Sequence, residues 1–65
     1  MELLRVVEVA DRLNIARATI YRLIERGEIA VVRPSLGTVR IDARELERFV
    51  AERTEPRRRL GVGAA

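Results

Sequence analysis

Ala16-Arg17-Ala18-Thr19-Ile20-Tyr21-Arg22-Leu23-Ile24-Glu25-Arg26-Gly27 is the stretch whose reading decides the fold. Ala16, Ile20, Leu23 and Ile24 stand at i, i+4, i+7 and i+8, which makes an apolar stripe of helical period. Arg17, Ala18, Tyr21 and Arg22 fall off that stripe and are expected to point outward. No acidic residue lies between Arg12 and Ile24, so this outward face is positive. Gly27 closes the helix, because the left-handed conformation just past a helix end is resisted by any residue with a Cβ.

Upstream of this segment, Val6, Val9, Ala10 and Leu13 repeat at i, i+3, i+4 and i+7 and predict a first helix of about two turns. Leu3 and Leu4 form an extended lead-in that packs on the core. Arg5 stands where a Ser or Thr cap is usual, so this helix start is expected to lack a side-chain cap. Asn14 tolerates the left-handed region, and Asn14-Ile15 therefore reads as a tight turn into the second helix. Helix, short turn, helix is the helix-turn-helix arrangement, in which the second helix is the one that enters a major groove.

Downstream, Ile29-Ala30-Val31-Val32-Arg33 and Thr38-Val39-Arg40-Ile41 are short β-branched runs around the turn cluster Pro34-Ser35-Leu36-Gly37. They predict a hairpin, or wing, with Val39 and Ile41 facing the core and Arg33 and Arg40 on the exposed face. Asp42 and Glu45 give an Asp-x-x-Glu start signal, a variant of the capping box. Leu46, Phe49 and Val50 then follow at helical spacing, predicting a third helix over about Ala43 to Arg53 with Phe49 as core plug. Thr54-Glu55-Pro56 ends it, since the residue before a proline is pushed out of the helical region. The fold class is mainly α with a small β-hairpin, a winged helix-turn-helix over residues 1–54, followed by a basic, disordered tail over 55–65.

The 65 residues include no cysteine and no histidine, which excludes disulfides, zinc-finger ligation, thiol nucleophiles and histidine-based acid–base catalysis. Ser35 is the sole serine and has no usual base to accompany it, so neither enzymatic activity nor a cofactor or metal is expected. The N-terminus holds no long apolar run, which points away from a membrane and toward the cytoplasm. All 13 basic residues are arginine, whose planar fork suits phosphate and guanine edges, although a GC-rich coding sequence explains the same bias. The formal net charge is only +3, so distribution matters more than total. Acids collect between Asp42 and Glu55, whereas Ile29–Ile41 and the segment from Pro56 onward contain none.

Taken together, Leu4 to Ile24, Arg26-Gly27-Glu28-Ile29, Val32-Arg33, Val39-Arg40-Ile41 and the helix with Leu46 and Phe49 resemble the excisionase family of small DNA-binding proteins, within the MerR-type winged-helix superfamily. The resemblance spans about Leu3 to Arg53, and its most specific part is Thr19-Ile20-Tyr21-Arg22, Gly27-Glu28-Ile29 and Arg40-Ile41 at these spacings. It implies a bacterial or phage-encoded protein that binds duplex DNA, with the second helix in the major groove and the wing in the adjacent minor groove. Such factors bind repeated sites side by side, bend the DNA and assist an integrase, which itself performs strand exchange. Members of the superfamily are otherwise small transcription regulators. This chain departs from the family where Arg5 and Ala16 replace capping Thr or Ser.

Candidate DNA-binding residues on the second helix are Arg17, Ala18, Thr19, Tyr21 and Arg22. Arg17 and Ala18 sit at the helix start, where base edges are usually read, with a thymine methyl as the partner suited to Ala18. Thr19 and Tyr21 offer hydroxyls to phosphates, and Arg22 offers a guanidinium. The competing readings are a solvated face for Arg17, packing on Leu13 or the wing for Tyr21, and an i,i+3 pair with Glu25 for Arg22. On the wing the candidates are Arg33, Ser35, Thr38 and Arg40, against a reading of the two arginines as cross-strand surface filler. Arg57, Arg58 and Arg59 are read as nonspecific phosphate attraction, and Arg12 and Arg26 as members of surface ion pairs. A rival of another class is a protein-interaction module that docks a partner on the acidic third helix through Glu45, Glu47 and Glu52.

Overall fold

The computed structural model describes residues 1–57. Strand β1 (Leu3–Leu4) leads into helix α1 (Val6–Leu13), followed by α2 (Arg17–Glu25), strand β2 (Ile41–Asp42) and α3 (Ala43–Arg53). One core cluster joins all of them: Leu4, Val6, Val9, Ala10, Ile20, Ile29, Ile41, Leu46 and Phe49. Every element contributes at least one side chain to that cluster, as a domain of this size requires.

The helix ends are built as their sequences dictate. Asn14 adopts φ 58°, ψ 45°. The Ile15 N–H donates to the Ala10 carbonyl at 3.0 Å and the Asn14 N–H to Asp11 at 3.2 Å. Gly27 repeats the device at the end of α2 with φ +77°. There Glu28 N–H reaches Leu23 O at 2.9 Å and Gly27 N–H reaches Ile24 O at 3.0 Å. Both are Schellman closures, and each satisfies carbonyls that the helix itself leaves open. At the start of α1, Arg5 supplies no side-chain cap, and Glu8 instead accepts from the Arg5 N–H at 2.8 Å.

The third helix begins as predicted at Asp42, whose Oδ1 accepts from the Arg44 N–H at 2.9 Å. The reciprocal half of the capping box is absent. The Glu45 carboxylate turns away from Asp42 to accept from the Ala30 N–H at 2.8 Å and from Arg48 Nε at 2.8 Å. Phe49 is buried as the core plug, and Arg53 lies over its ring at 3.9 Å from the centroid. Two residues assigned to apolar stripes face solvent: Val50 on α3, and Ala16, which is the N-cap of α2.

The wing is shorter than its two β-branched runs suggest. Only Val32 and Arg40 pair across it, through reciprocal N–H···O bonds of 2.7 and 2.8 Å. Pro34, lacking an N–H, stops the ladder on one side, and the Ala30 N–H is already engaged by Glu45 on the other. The return segment then changes partner. Ile41 and Asp42 pair antiparallel with Leu4 and Leu3, and the Ala43 N–H extends this pairing to the Glu2 carbonyl at 2.9 Å. The tip is a β-turn closed by Thr38 N–H to Ser35 O at 3.0 Å, with Gly37 at φ +77° in the third position as a type II turn demands.

Candidate nucleic-acid interface

A cleft of about 290 Å³ opens between the start of α1, the outer face of α2 and the wing. It is lined by Arg5, Val6, Val7, Arg17, Tyr21, Gly37, Val39 and Arg40. Arg17 and Tyr21 come from successive turns of α2, at i and i+4, and so share one face. Arg17 is exposed, and Tyr21 is 51% exposed, which places its ring against the cleft rather than within the core. Arg40 is half-buried and donates from Nη1 to its neighbour Val39's carbonyl at 2.8 Å, which leaves the rest of its fork uncommitted.

The other candidates lie around this cleft. Ala18 and Arg22 are exposed on α2, whereas Thr19 is half-buried. Arg33 is exposed, but the pairing opposes Arg40 to Val32, so the two wing arginines do not share a face as alternation from the sequence suggests. Ser35 Oγ and Thr38 Oγ1 are 2.9 Å apart and hydrogen-bond each other across the turn. Arg57 is exposed, while Arg58, Arg59 and the remainder of the predicted tail lie outside the described residues.

Ion pairing divides the arginines into two groups. Arg5, Arg12, Arg26, Arg44, Arg48 and Arg53 pair with Glu8, Glu2, Glu28, Asp42, Glu45 with Glu52, and Glu28 respectively. Among the described residues Arg17, Arg22, Arg33, Arg40 and Arg57 have no such partner. The i,i+3 pair of Arg22 with Glu25 does not form, whereas Arg12 and Arg26 are in surface pairs of 3.9 and 3.8 Å. A second concavity, of about 420 Å³, has the opposite character. Its charged lining residues Asp42, Arg44, Glu45 and Arg48 neutralise one another. Hydrogen bonds from the Arg48 guanidinium, then from the Ala30 N–H, hold the Glu45 carboxyl down at about 2. Arg44 lowers the Asp42 carboxyl in the same way.

Arg5 is the cleft residue that the linear pattern misses. The antiparallel register of Leu4 with Ile41 carries Arg5 toward Arg40, so two arginines distant in sequence meet at one rim. The free start of α2 adds backbone donors beside them. Ala16 has extended φ/ψ but no capping oxygen, and no side chain caps this end.

An outward helix after a tight turn, braced by a third helix and flanked by a hairpin, defines a winged helix-turn-helix domain. The family model described as a helix-turn-helix domain matches residues 3–54, and the chain belongs to that DNA-binding family. Searches of curated proteins and of solved structures return no significant match. Among the described residues no helix is long and apolar enough to cross a membrane.

Proposed function

We propose that the chain recognises specific duplex DNA as an excisionase-type accessory factor, with α2 in the major groove and the wing in the adjacent minor groove. The observation that carries this reading is the division of the arginines. Among the described residues the unpaired ones are those of α2, the wing and the segment after α3, while every other arginine is paired with an acid. Free, solvent-facing guanidiniums are suited to meeting an anion, and B-DNA supplies anions at every step of its backbone. In this reading Arg17 and Ala18 read base edges, Thr19, Tyr21 and Arg22 hold phosphates, and Arg33, Ser35, Thr38 and Arg40 grip from the wing. Arg57, with Arg58 and Arg59, adds nonspecific attraction.

One recognition helix covers a short site, so useful specificity calls for copies side by side on repeats, with an integrase as the protein partner. A small transcription regulator of MerR type uses the same contacts, and the neighbouring genes separate the two. The protein-interaction reading of the acidic third helix is weakened at two of its three acids, because Glu45 and Glu52 are both occupied by Arg48, and Glu47 alone stays exposed without an ion pair among the described residues. The test is binding of the full chain to labelled DNA from its own gene neighbourhood, against scrambled duplex, at two salt concentrations. Stepwise, evenly spaced shifts on the native DNA support an excisionase. Equal and weak binding to both duplexes overturns sequence-specific recognition.

A further inference from the structure

Leu36 is the most exposed large apolar side chain in the described structure, at 103%. It has no part in the core cluster, so the fold gives no reason for a leucine there. Its backbone, in contrast, is held firmly. Leu36 occupies the second position of the Ser35–Thr38 turn, closed by the backbone bond at 3.0 Å and by the hydroxyl pair at 2.9 Å. Pro34 precedes this turn with a fixed φ, and Gly37 supplies the positive φ that keeps it tight. Gly37 also lines the cleft with Arg17, Tyr21 and Arg40, so Leu36 stands at the rim of the same surface. The hairpin arms that carry it hold the unpaired Arg33 and Arg40, and the tip between them carries no charge.

We infer that Leu36 is an apolar wedge that enters the DNA minor groove and partly unstacks one base step, with Arg33 and Arg40 bound to the flanking phosphates. This inference rests on the DNA-binding reading above and adds a residue and a mode of bending to it. A minor groove about 6 Å wide admits a narrow turn, and aliphatic side chains are the usual wedges in proteins that kink DNA toward the major groove. A leucine on a rigid tip loses little freedom on insertion and leaves water as it does so. The favoured target is a pyrimidine–purine step, because such steps unstack most easily.

The experiment uses a duplex selected by the wild-type full chain from a randomised pool. It carries end fluorophores for bend angle and 2-aminopurine at the step facing the wing. Wild type is expected to brighten the 2-aminopurine and shorten the end-to-end distance. Leu36→Ala is expected to abolish both signals and weaken binding about tenfold, while Leu36→Met retains them. Because Leu36 is solvent-exposed, neither variant should change the thermal midpoint, which excludes misfolding as the cause. Unchanged bending and affinity in Leu36→Ala overturn the wedge and leave the DNA-binding reading standing. If wild type selects no sequence at all, both fall. A wild-type dimer in sedimentation without DNA that Leu36→Ala dissolves also overturns the wedge, assigning the residue to a contact between copies.

Discussion

Replacing Glu45 with alanine tests the idea that α3 fixes the wing relative to the recognition helix. Glu45 accepts the Ala30 N–H at 2.8 Å just where the chain leaves α2 for the wing. Arg48, which Glu45 orients, donates to the Glu28 carbonyl at 3.2 Å in the same connection. A hydrogen bond to a charged acceptor contributes about 1.5–3 kcal/mol, and the i,i+3 pair adds about 0.2–0.5 kcal/mol. Ala30 is exposed, so its freed N–H finds water and the loss falls at the lower end, about 1–2 kcal/mol. For a domain of this size that corresponds to a fall in Tm of roughly 4–15 °C. The pH dependence supplies the decisive control. The folded carboxyl is depressed to about 2 from 4.5, so its contribution is complete above pH 4.5 and disappears as pH falls toward 2. Wild type and Glu45→Ala should therefore differ most at neutral pH and converge in acid. Thermal unfolding followed by circular dichroism at pH 7 and at stepwise lower pH measures this. A difference that is absent at pH 7, or that persists unchanged to pH 2, refutes the reasoning.

Three further outcomes follow from the same structure. Gly27→Ala meets nothing within 4 Å but must adopt φ +77°, so urea unfolding should show a loss of about 1–2 kcal/mol. Gly27→Asn should lose less, because Asn14 already holds that conformation at the end of α1. Ala16→Ser places a hydroxyl at an N-cap whose φ −66° and ψ 145° are ready for it, and the gain in stability should be about 0.5–1 kcal/mol. If four or five of the free arginines, Arg40 among them, contact phosphates, the log–log salt slope of binding should be about −4, and Arg40→Ala should make it shallower by about one. An Arg40→Ala slope equal to that of wild type removes Arg40 from the interface.

The sequence by itself determined the helices, their ends and the outward-facing arginines, because these depend on residues close along the chain. The 3.6-residue stripes of Val6, Val9 and Ala10 and of Leu46 and Phe49 became buried faces. Asn14 and Gly27 ended their helices by their tolerance of positive φ, and Asp42 capped α3 with its own carboxylate. The stripes failed at Ala16 and Val50, where a side chain on the periodic face meets solvent because no opposing element covers it. Only the tertiary structure decided the rest. The partner of Glu45 is an N–H fifteen residues away rather than the nearby helix start that a capping box implies. The return arm of the wing divides its hydrogen bonds between Val32 and β1, which turns Arg40 into the cleft and brings Arg5 beside it. The linear pattern already set Arg12 and Arg26 in surface pairs and Arg17, Arg22, Arg33 and Arg40 apart from them, but it did not show which acids the paired arginines meet. Ion pairing depends on distances across the fold, and only folding brings Glu28 to Arg53, and Glu2 to Arg12, while Arg17, Arg22, Arg33 and Arg40 form no ion pair among the described residues, even with Glu25 on α2 itself.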